Sequence, residues 1–316
     1  MRQRRLGRTD LSIAPLVFGG NVFGWTADKR TSFALLDRFA KAGFNAIDTA
    51  DVYSAWAPGN KGGESETIVG EWMRARANRE KMVVITKVGS PMGEGKQGLS
   101  ARYIAEAVEA SLKRLRTDRI DVYLSHWPDV KTPYEETLGA YAALLKAGKV
   151  RAIGASNLDV AQMRAALDAA KAHGLPRYYV LQPEYNLYDR GGFDGPLRDL
   201  CVREDIGVIT YFSLAKGFLS GKYRGEADLG QSVRGGGVKA YLNPRGMRIL
   251  AALDEVGAKH KAKPAEVALA WLIAQPGITA PIASATSLAQ VESLIKAAEL
   301  ELDAGDVEAL DKASAV

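Results

Sequence analysis

Seven polar side chains capable of joint chemistry each sit at the end of a short apolar run, or just beyond it. Asp48 closes Phe44–Ile47, with Tyr53 following it; Lys87 ends the run from Met82, and His126 follows Ile120–Ser125. Ser156 and Asn157 follow Val150–Ala155, and Gln182 ends the run from Tyr179. A phenol ordinarily titrates near pKa ~10, which makes it a weak acid at neutral pH. An ammonium such as Lys87 beside Tyr53 favours the phenolate and lowers that value, while Asp48 keeps the lysine protonated and oriented. His126 can donate to a carbonyl oxygen lying next to the phenol. The set therefore describes an acid that protonates an oxyanion as it forms. It contains no nucleophile paired with a base, and His126, His173 and His260 show no metal-ligand spacing, so no metal is expected.

Taken singly, each residue has a plainer role open to it. Asp48 can cap a turn, Tyr53 can pack in a loop, His126 can be a satisfied core histidine, and Lys87 can snorkel at a rim. Together they fit those roles poorly, because a rim of capping residues favours Ser, Gly and Asp over Lys, His and Gln. A lysine at a buried strand end also needs a counter-ion, and Asp48 is the natural one.

The elements that would position these groups repeat along the chain. Leu16–Gly20 reads as a first strand ending in glycines, where backbone can approach a ligand closely. Strands are expected at 44–48, 82–87, 120–125, 150–155, 179–182, 207–211 (ending in Tyr211) and 279–283, and helices at 31–42, 64–77, 100–115, 132–148 and 159–173. Thr132, Pro133 and Glu135 read as N-cap, N1 and N3 of the fourth helix. Parallel neighbours need crossover connections, and eight such units predict one α/β domain over residues 1–316, a (β/α)8 TIM barrel with its site at the C-terminal strand ends. Between the seventh and eighth strands lies a long insertion at about 213–274: a Gly-rich loop, Ser213–Leu242, then helical patterns at 243–261 and 264–274.

Composition narrows the class. The chain has 316 residues, 47% of them hydrophobic, enough for a single large barrel. Its formal charge of +5 is spread among acidic residues, so no nucleic-acid partner is indicated. One cysteine, Cys201, rules out an intrachain disulfide and fits a reducing compartment; the basic N-terminus lacks an apolar core, and no run is long enough for a bilayer. A cytoplasmic globule with no membrane partner is expected. Gly93-Glu94-Gly95-Lys96-Gln97-Gly98 matches the dinucleotide fingerprint literally, with Asp118 and Asp121 beyond it. It starts several residues past its strand, and Asp121 opens the next strand where the ribose-binding acid should close it, so a Rossmann site is not expected.

Asp48-Thr49-Ala50 with Tyr53, Thr86-Lys87 and Ser125-His126-Trp127-Pro128 resemble the tetrad motifs of the aldo-keto reductase superfamily. The likeness runs from Arg5-Leu6-Gly7-Arg8-Thr9 through Gly154-Ala155-Ser156-Asn157 and Gln182-Pro183-Glu184-Tyr185-Asn186 to Gly217–Tyr223. The resemblance implies reversible NADP(H)-dependent reduction of aldehydes or ketones, with Tyr53 as proton donor and Asp48, Lys87 and His126 as its partners. It implies that Ser156, Asn157 and Gln182 hold the nicotinamide carboxamide, that Tyr211 stacks on the ring, and that Ser213–Lys222 folds over the pyrophosphate. Gly20, Asn21, Phe212, Ser213, Leu214, Lys216, Gly217, Lys222, Ser284, Thr286, Gln290 and Ser293 complete the implied cofactor contacts. A non-catalytic, cofactor-binding regulatory member of the fold is the alternative. Phe23, Trp25, Trp56 and Trp127 are expected to wall the substrate pocket.

The chain departs from the family in one place. Ala283–Ser293, where Lys or Arg commonly meets the 2′-phosphate, has no basic residue. A capping box from Ser287 to Gln290, the hydroxyls of Ser284 and Thr286, and Lys296 further on would have to serve. NADPH with a narrowed preference, and measurable use of NADH, is the expectation.

Overall fold

Alternation along short strands decides which side chains enter the interior. In the computed structural model, which describes residues 2–233 and 235–315, eight parallel strands close into a barrel. They are β1 Val17–Gly19, β2 Ala46–Asp48, β3 Val83–Val88, β4 Ile120–Ser125, β5 Val150–Ser156, β6 Val180–Gln182, β7 Gly207–Thr210 and β8 Ala280–Ala283. Each pairs with its sequence neighbour, and β8 closes the ring on β1 through Ile282↔Val17 and Ala283↔Phe18. Successive strand residues face opposite sides. Val17, Ala46, Val83, Ile85, Val122, Leu124, Ala152, Val180, Ile209, Ala280 and Ile282 form the inner core. The intervening residues join a larger outer cluster packed under the helices.

The helices are α1 Lys29–Lys41, α2 Glu64–Arg76, α3 Ala101–Leu115, α4 Tyr134–Lys146, α5 Val160–His173, α6 Pro196–Arg203, α7 Pro244–His260, α8 Pro264–Ala274, α9 Leu288–Glu299 and α10 Ala304–Ser314. Their starts have local causes. Asp28, Ser100, Asp159 and Asn243 each accept a first-turn N–H with their side chains. The expected cap at Thr132 is not made: the helix starts after Pro133, and the Thr132 hydroxyl donates to Asp129 instead. Thr31 likewise lies inside α1, which starts two residues earlier at the Asp28 cap.

Several elements lie outside the sequence reading. A hairpin of Arg4–Arg5 and Ser12–Ile13 turns at Gly7 (φ +57°) and puts Leu6, Leu11 and Ile13 into the floor of the barrel. α6 and α10 likewise complete the outer layer, together with α9, whose start at Ser287 the sequence did signal. The Gly-rich insertion is not open loop. It folds as three 3-10 turns, Ala215–Ser220, Glu226–Gln231 and Gly235–Tyr241, held by buried Phe218, Leu219, Tyr223 and Val238. Its far end is tied where Tyr241 donates to Asp189 and Asn243 to Tyr188. The Gly93–Gly98 segment is a turn closed by Met92 N–Lys96 O and Gly98 N–Gly89 O hydrogen bonds. Asp121 lies at the opposite end of the barrel, bound by Arg79, Arg151 and the Val84 N–H.

Candidate active site

The same alternation delivers the polar groups. Val83 and Ile85 point inward, so Lys87 continues their row at the C-terminal end; Ala46 and Val180 set the rows that end in Asp48 and Gln182. Lys87 is fully buried, and Asp48 nearly so. The Lys87 Nζ lies 2.8 Å from Asp48 Oδ1 and donates at 2.8 Å to Oδ2, at 2.9 Å to the Thr49 carbonyl and at 2.8 Å to the Tyr53 hydroxyl. Tyr53 in turn donates to Asp48 Oδ2 at 3.1 Å. The loop after β2 brings Tyr53 back over its own strand, fixed by the Ser54 hydroxyl on the Phe23 carbonyl and the Asn60 amide on the Gly24 and Ser54 carbonyls.

His126 follows β4, with its backbone N–H on the Val88 carbonyl and its ring 6.1 Å from that of Tyr53. Its Nδ1 lies 2.9 Å from Ser90 Oγ. Burial, and then the Lys87 charge, push its pKa well below 6.5, so the ring is neutral at neutral pH. When the Ser90 hydroxyl donates to Nδ1, the ring proton is carried on Nε2.

The expected lowering of the Tyr53 pKa is not what this environment produces. Burial, followed by the Asp48 carboxylate, pushes the phenol well above 10. Burial also pulls Lys87 down, against the opposing pull of Asp48. Tyr53 is thus a firmly held phenol, the form an acid must have before it acts. The Lys87 ammonium lies 2.8 Å from the phenol oxygen, within reach of any negative charge that would form there.

Asp48, Tyr53 and His126 wall a cavity of about 550 Å3 at the C-terminal mouth, with Lys87 buried outside its lining. Of the expected residues, Asn21, Asp48, Tyr53, Trp56, His126, Trp127, Ser156, Asn157, Gln182, Tyr211, Phe212, Ser213, Leu214, Lys216, Gly217 and Ser284 line it. Gly19, one of the glycines expected to let backbone approach a ligand, also lines it, as do Val52, Ser90, Pro91, Glu184, Ile282 and Ala283, which were not named as site residues. A more open groove of about 800 Å3 between α5 and α6, lined by Arg164, Lys171 and Arg203 among others, holds none of these groups.

Several expected contacts lie elsewhere. Phe23 is fully buried and stacks on Phe18, because the 3-10 turn Gly20–Val22 tucks it into the core. Trp25 packs edge-on against Trp56 behind the cavity wall. Gly20 is a packing position: its carbonyl accepts from Ser65, and a Cβ there would sit 2.9 Å from the Asp48 carbonyl oxygen. Lys222 is exposed, with its ammonium over the Tyr223 ring. Ser293 donates to Glu266 on α8. Thr286 and Gln290 are exposed and bonded to each other; Gln290 Oε1 accepts from the Thr286 N–H and hydroxyl, so Ser287–Gln290 makes only the Ser287 half of a capping box.

The amide-bearing residues form one connected group. Ser156 Oγ donates to the Gln182 carbonyl, and Asn157 Nδ2 donates to the His126 carbonyl and to Ser156 Oγ. Tyr211 donates to Asn157 Oδ1 at 2.7 Å, and Asn157 is held at φ +63°, uncommon for a side-chain-bearing residue. Gln182 spends one of its two amide N–H donors on Asp48 Oδ1 at 2.8 Å, which fixes the side chain and leaves Oε1 to accept from a carboxamide. That leaves acceptors suited to an amide NH2 beside the Tyr53 phenol. At the other end, Ser284 donates to Asn21, a Cβ on Gly19 would lie 2.5 Å from Ser284 Oγ, and Lys216 offers a cation. The donor set fits a nicotinamide dinucleotide. Among the described residues no His, Cys, Asp and Glu cluster could hold a metal, and no helix is long and apolar enough to cross a membrane. Burial pushes the Cys201 thiol up to about 12, far from a reactive thiolate.

A profile of the Aldo/keto reductase family matches residues 15–315. Protein tas of Escherichia coli (strain K12) is 30% identical over 96% of this chain and 94% of its own length. Aldo-keto reductase YhdN of Bacillus subtilis (strain 168) is 31% identical over 90% of this chain and 83% of its own. A probable voltage-gated potassium channel subunit beta of Arabidopsis thaliana is 31% identical over 95% and 92%. With its closed barrel and the polar cluster at the strand ends, the chain belongs to the aldo/keto reductase family of oxidoreductases.

Proposed function

We propose that this protein reduces aldehyde or ketone carbonyls to alcohols, reversibly, using NADPH and more weakly NADH. One observation carries the reading: the Tyr53 hydroxyl stands between Lys87 Nζ and Asp48 on the wall of a cavity that also holds a neutral His126. The bound nicotinamide supplies the hydride. His126 orients the carbonyl oxygen and Tyr53 gives it a proton as negative charge develops. Lys87 then stabilises the Tyr53 phenolate, and Asp48 keeps Lys87 charged and aimed. In the alcohol-oxidising direction the same phenolate takes the proton back.

Gln182 Oε1, Asn157 and Ser156 would hold the carboxamide, and Lys216 with the Ser213–Gly217 turn would meet the pyrophosphate. At the rim, neutral groups would meet the 2′-phosphate: the first N–H groups of α9, and the Ser284 and Thr286 hydroxyls once they turn from Asn21 and Gln290, which hold them here. The narrowed NADPH preference follows from the lack of a guanidinium there. Trp56 and Trp127 are half exposed, and with Val52 and Ile282 they present flat apolar surface, which suits ring-bearing carbonyls.

A screen of aldehydes, ketones and secondary alcohols, followed at the reduced-nicotinamide absorbance with each cofactor, tests this reading. Turnover of an aromatic carbonyl with both cofactors, faster with NADPH, is expected. Cofactor binding with no turnover of any carbonyl would instead favour a regulatory role, in line with the potassium channel subunit among its relatives.

A further inference from the structure

Behind the catalytic lysine lies a second buried carboxylate, Asp51, on the same loop as Tyr53. It is 1% exposed, and neither oxygen makes a well-formed hydrogen bond, the weak pull of the adjacent Val52 N–H aside. Its backbone N–H donates to the Lys87 carbonyl at 3.3 Å. Charged and titratable groups face it from every packed element: Glu66 from α2, Arg114 and Tyr103 from α3, Lys87 from β3, Tyr123 from β4 and Tyr141 from α4.

The surrounding charges already balance without it. Glu66, fully buried, accepts from Arg114 Nε at 2.6 Å and from the Thr86 hydroxyl at 2.6 Å, while Asp48 is paired with Lys87. Two cations thus meet two carboxylates. An ionised Asp51 would add a negative charge with neither a cation of its own nor hydrogen bonds to replace water, the situation buried carboxyls avoid by keeping a proton.

We propose that Asp51 is a positioning residue for the carbonyl reduction: it stays the neutral acid between Glu66 and Lys87, so that the field of Lys87 is directed at Asp48 and at the phenolate that forms on Tyr53. This rests on the reductase reading. Proton donation by Tyr53 adds one negative charge to the cluster, and an ionised Asp51 would add a second and oppose it. Reduction therefore weakens as Asp51 loses its proton. Burial and the Glu66 charge, opposed by Arg114, push that loss up to about 8.

Two measurements test the proposal. The first needs neither substrate nor cofactor. The folded protein holds a proton on Asp51 that the unfolded chain, titrating near pKa ~3.9, has released. The wild type therefore loses stability as pH rises from about 4 to about 8, and Asp51→Asn does not. The Tm of Asp51→Asn should gain on that of the wild type steadily across this window and level off above it. Parallel curves would overturn the proposal.

The second measurement is log kcat/KM for reduction against pH. The wild type should bend downward near 8 and lose about tenfold over the next unit, and Asp51→Asn should lack that bend. Glu66→Gln, which removes the neighbouring negative charge, should move the bend to lower pH by about one unit. This variant keeps the test alive if Asp51→Asn fails to fold. Diverging Tm curves with superimposable rate profiles would show a buried proton with no positioning role, and so overturn the proposal. If no carbonyl is turned over by the wild type, the reductase reading itself has failed and Asp51's part in it falls too, a result the Tm curves distinguish because they do not depend on turnover.

Discussion

Asp48 on β2 and Asp121 on β4 are both buried carboxylates of one barrel, at its opposite ends, and their partners differ in kind. Asp121 accepts from Arg79 at 2.9 Å, Arg151 at 3.1 Å and the Val84 N–H at 2.9 Å. None of these donors is placed to hand a proton to a guest, because the hairpin seals that end with Leu6, Leu11 and Ile13. Asp48 accepts from Lys87, Gln182 and the Tyr53 phenol on the wall of an open cavity. Burial and charge are common to the two sites. What makes the upper one chemical is a partner that can release a proton to a guest. Burial of an ion pair alone does not mark a functional site.

The contrast can be broken most sharply at Tyr53. Tyr53→Phe removes the proton and leaves the ring, so reduction should fall by about 10²–10⁴-fold while cofactor affinity, read by fluorescence quenching, stays nearly constant. Near-normal turnover would place the acid elsewhere. Lys87→Met tests stability and chemistry together at the upper site: it strips Asp48 of its cation inside the barrel. Denaturant unfolding should show a loss of about 3–5 kcal/mol, with reduction depressed as strongly as in Tyr53→Phe. A stable, active variant would remove Lys87 from the mechanism.

Asp121→Asn is the counterpart at the lower end. It should cost about 1–3 kcal/mol of stability, because Arg79 and Arg151 lose a charged acceptor, with kcat and KM unchanged. A selective loss of turnover would show that the two ends are not independent. The smallest effect is expected at Thr286, where the upper rim lacks the guanidinium that the lower end has twice over. Thr286→Arg should favour NADPH over NADH by roughly tenfold, the scale of one charge-assisted hydrogen bond. If the unmodified protein already prefers NADPH by several orders of magnitude, another cation meets the phosphate.

Strand-end chemistry was readable in the sequence because period two is a strict rule: once Val83 and Ile85 face inward, Lys87 must follow them. Depth was harder to read. Phe23 and Trp25 stand in a polar loop and look like pocket walls, yet a single 3-10 turn folds Phe23 into the core. Ser293 lies in the right segment, but on the face of α9 that meets Glu266 of α8, and helix rotation is set by packing that the segment alone does not encode. Ser90 and Glu184 went unforeseen because each owes its place to a partner on another strand: His126 for Ser90, and the Glu184–Tyr211 bridge for the other. Asp51 did carry a sequence signal, a second carboxylate three residues after Asp48, which gains meaning only once Glu66 and Arg114 are seen to close around it.

The insertion between β7 and β8 has a consequence for synthesis. β8 pairs with β7 through Ile209 and Thr210, and with β1 through Val17 and Phe18, so the last strand made must find the first. Until Ala280–Ala283 arrives, β1 and β7 both present open edges, and the cost of joining ends so far apart in sequence is met late. The same strand and its exit supply Ile282, Ala283 and Ser284 to the cavity. A chain that has left the ribosome only as far as α8 therefore has the phenol, the lysine and the histidine, but an unfinished wall. The cavity is complete only when the ring closes, because Ile282, Ala283 and Ser284 arrive with the last strand.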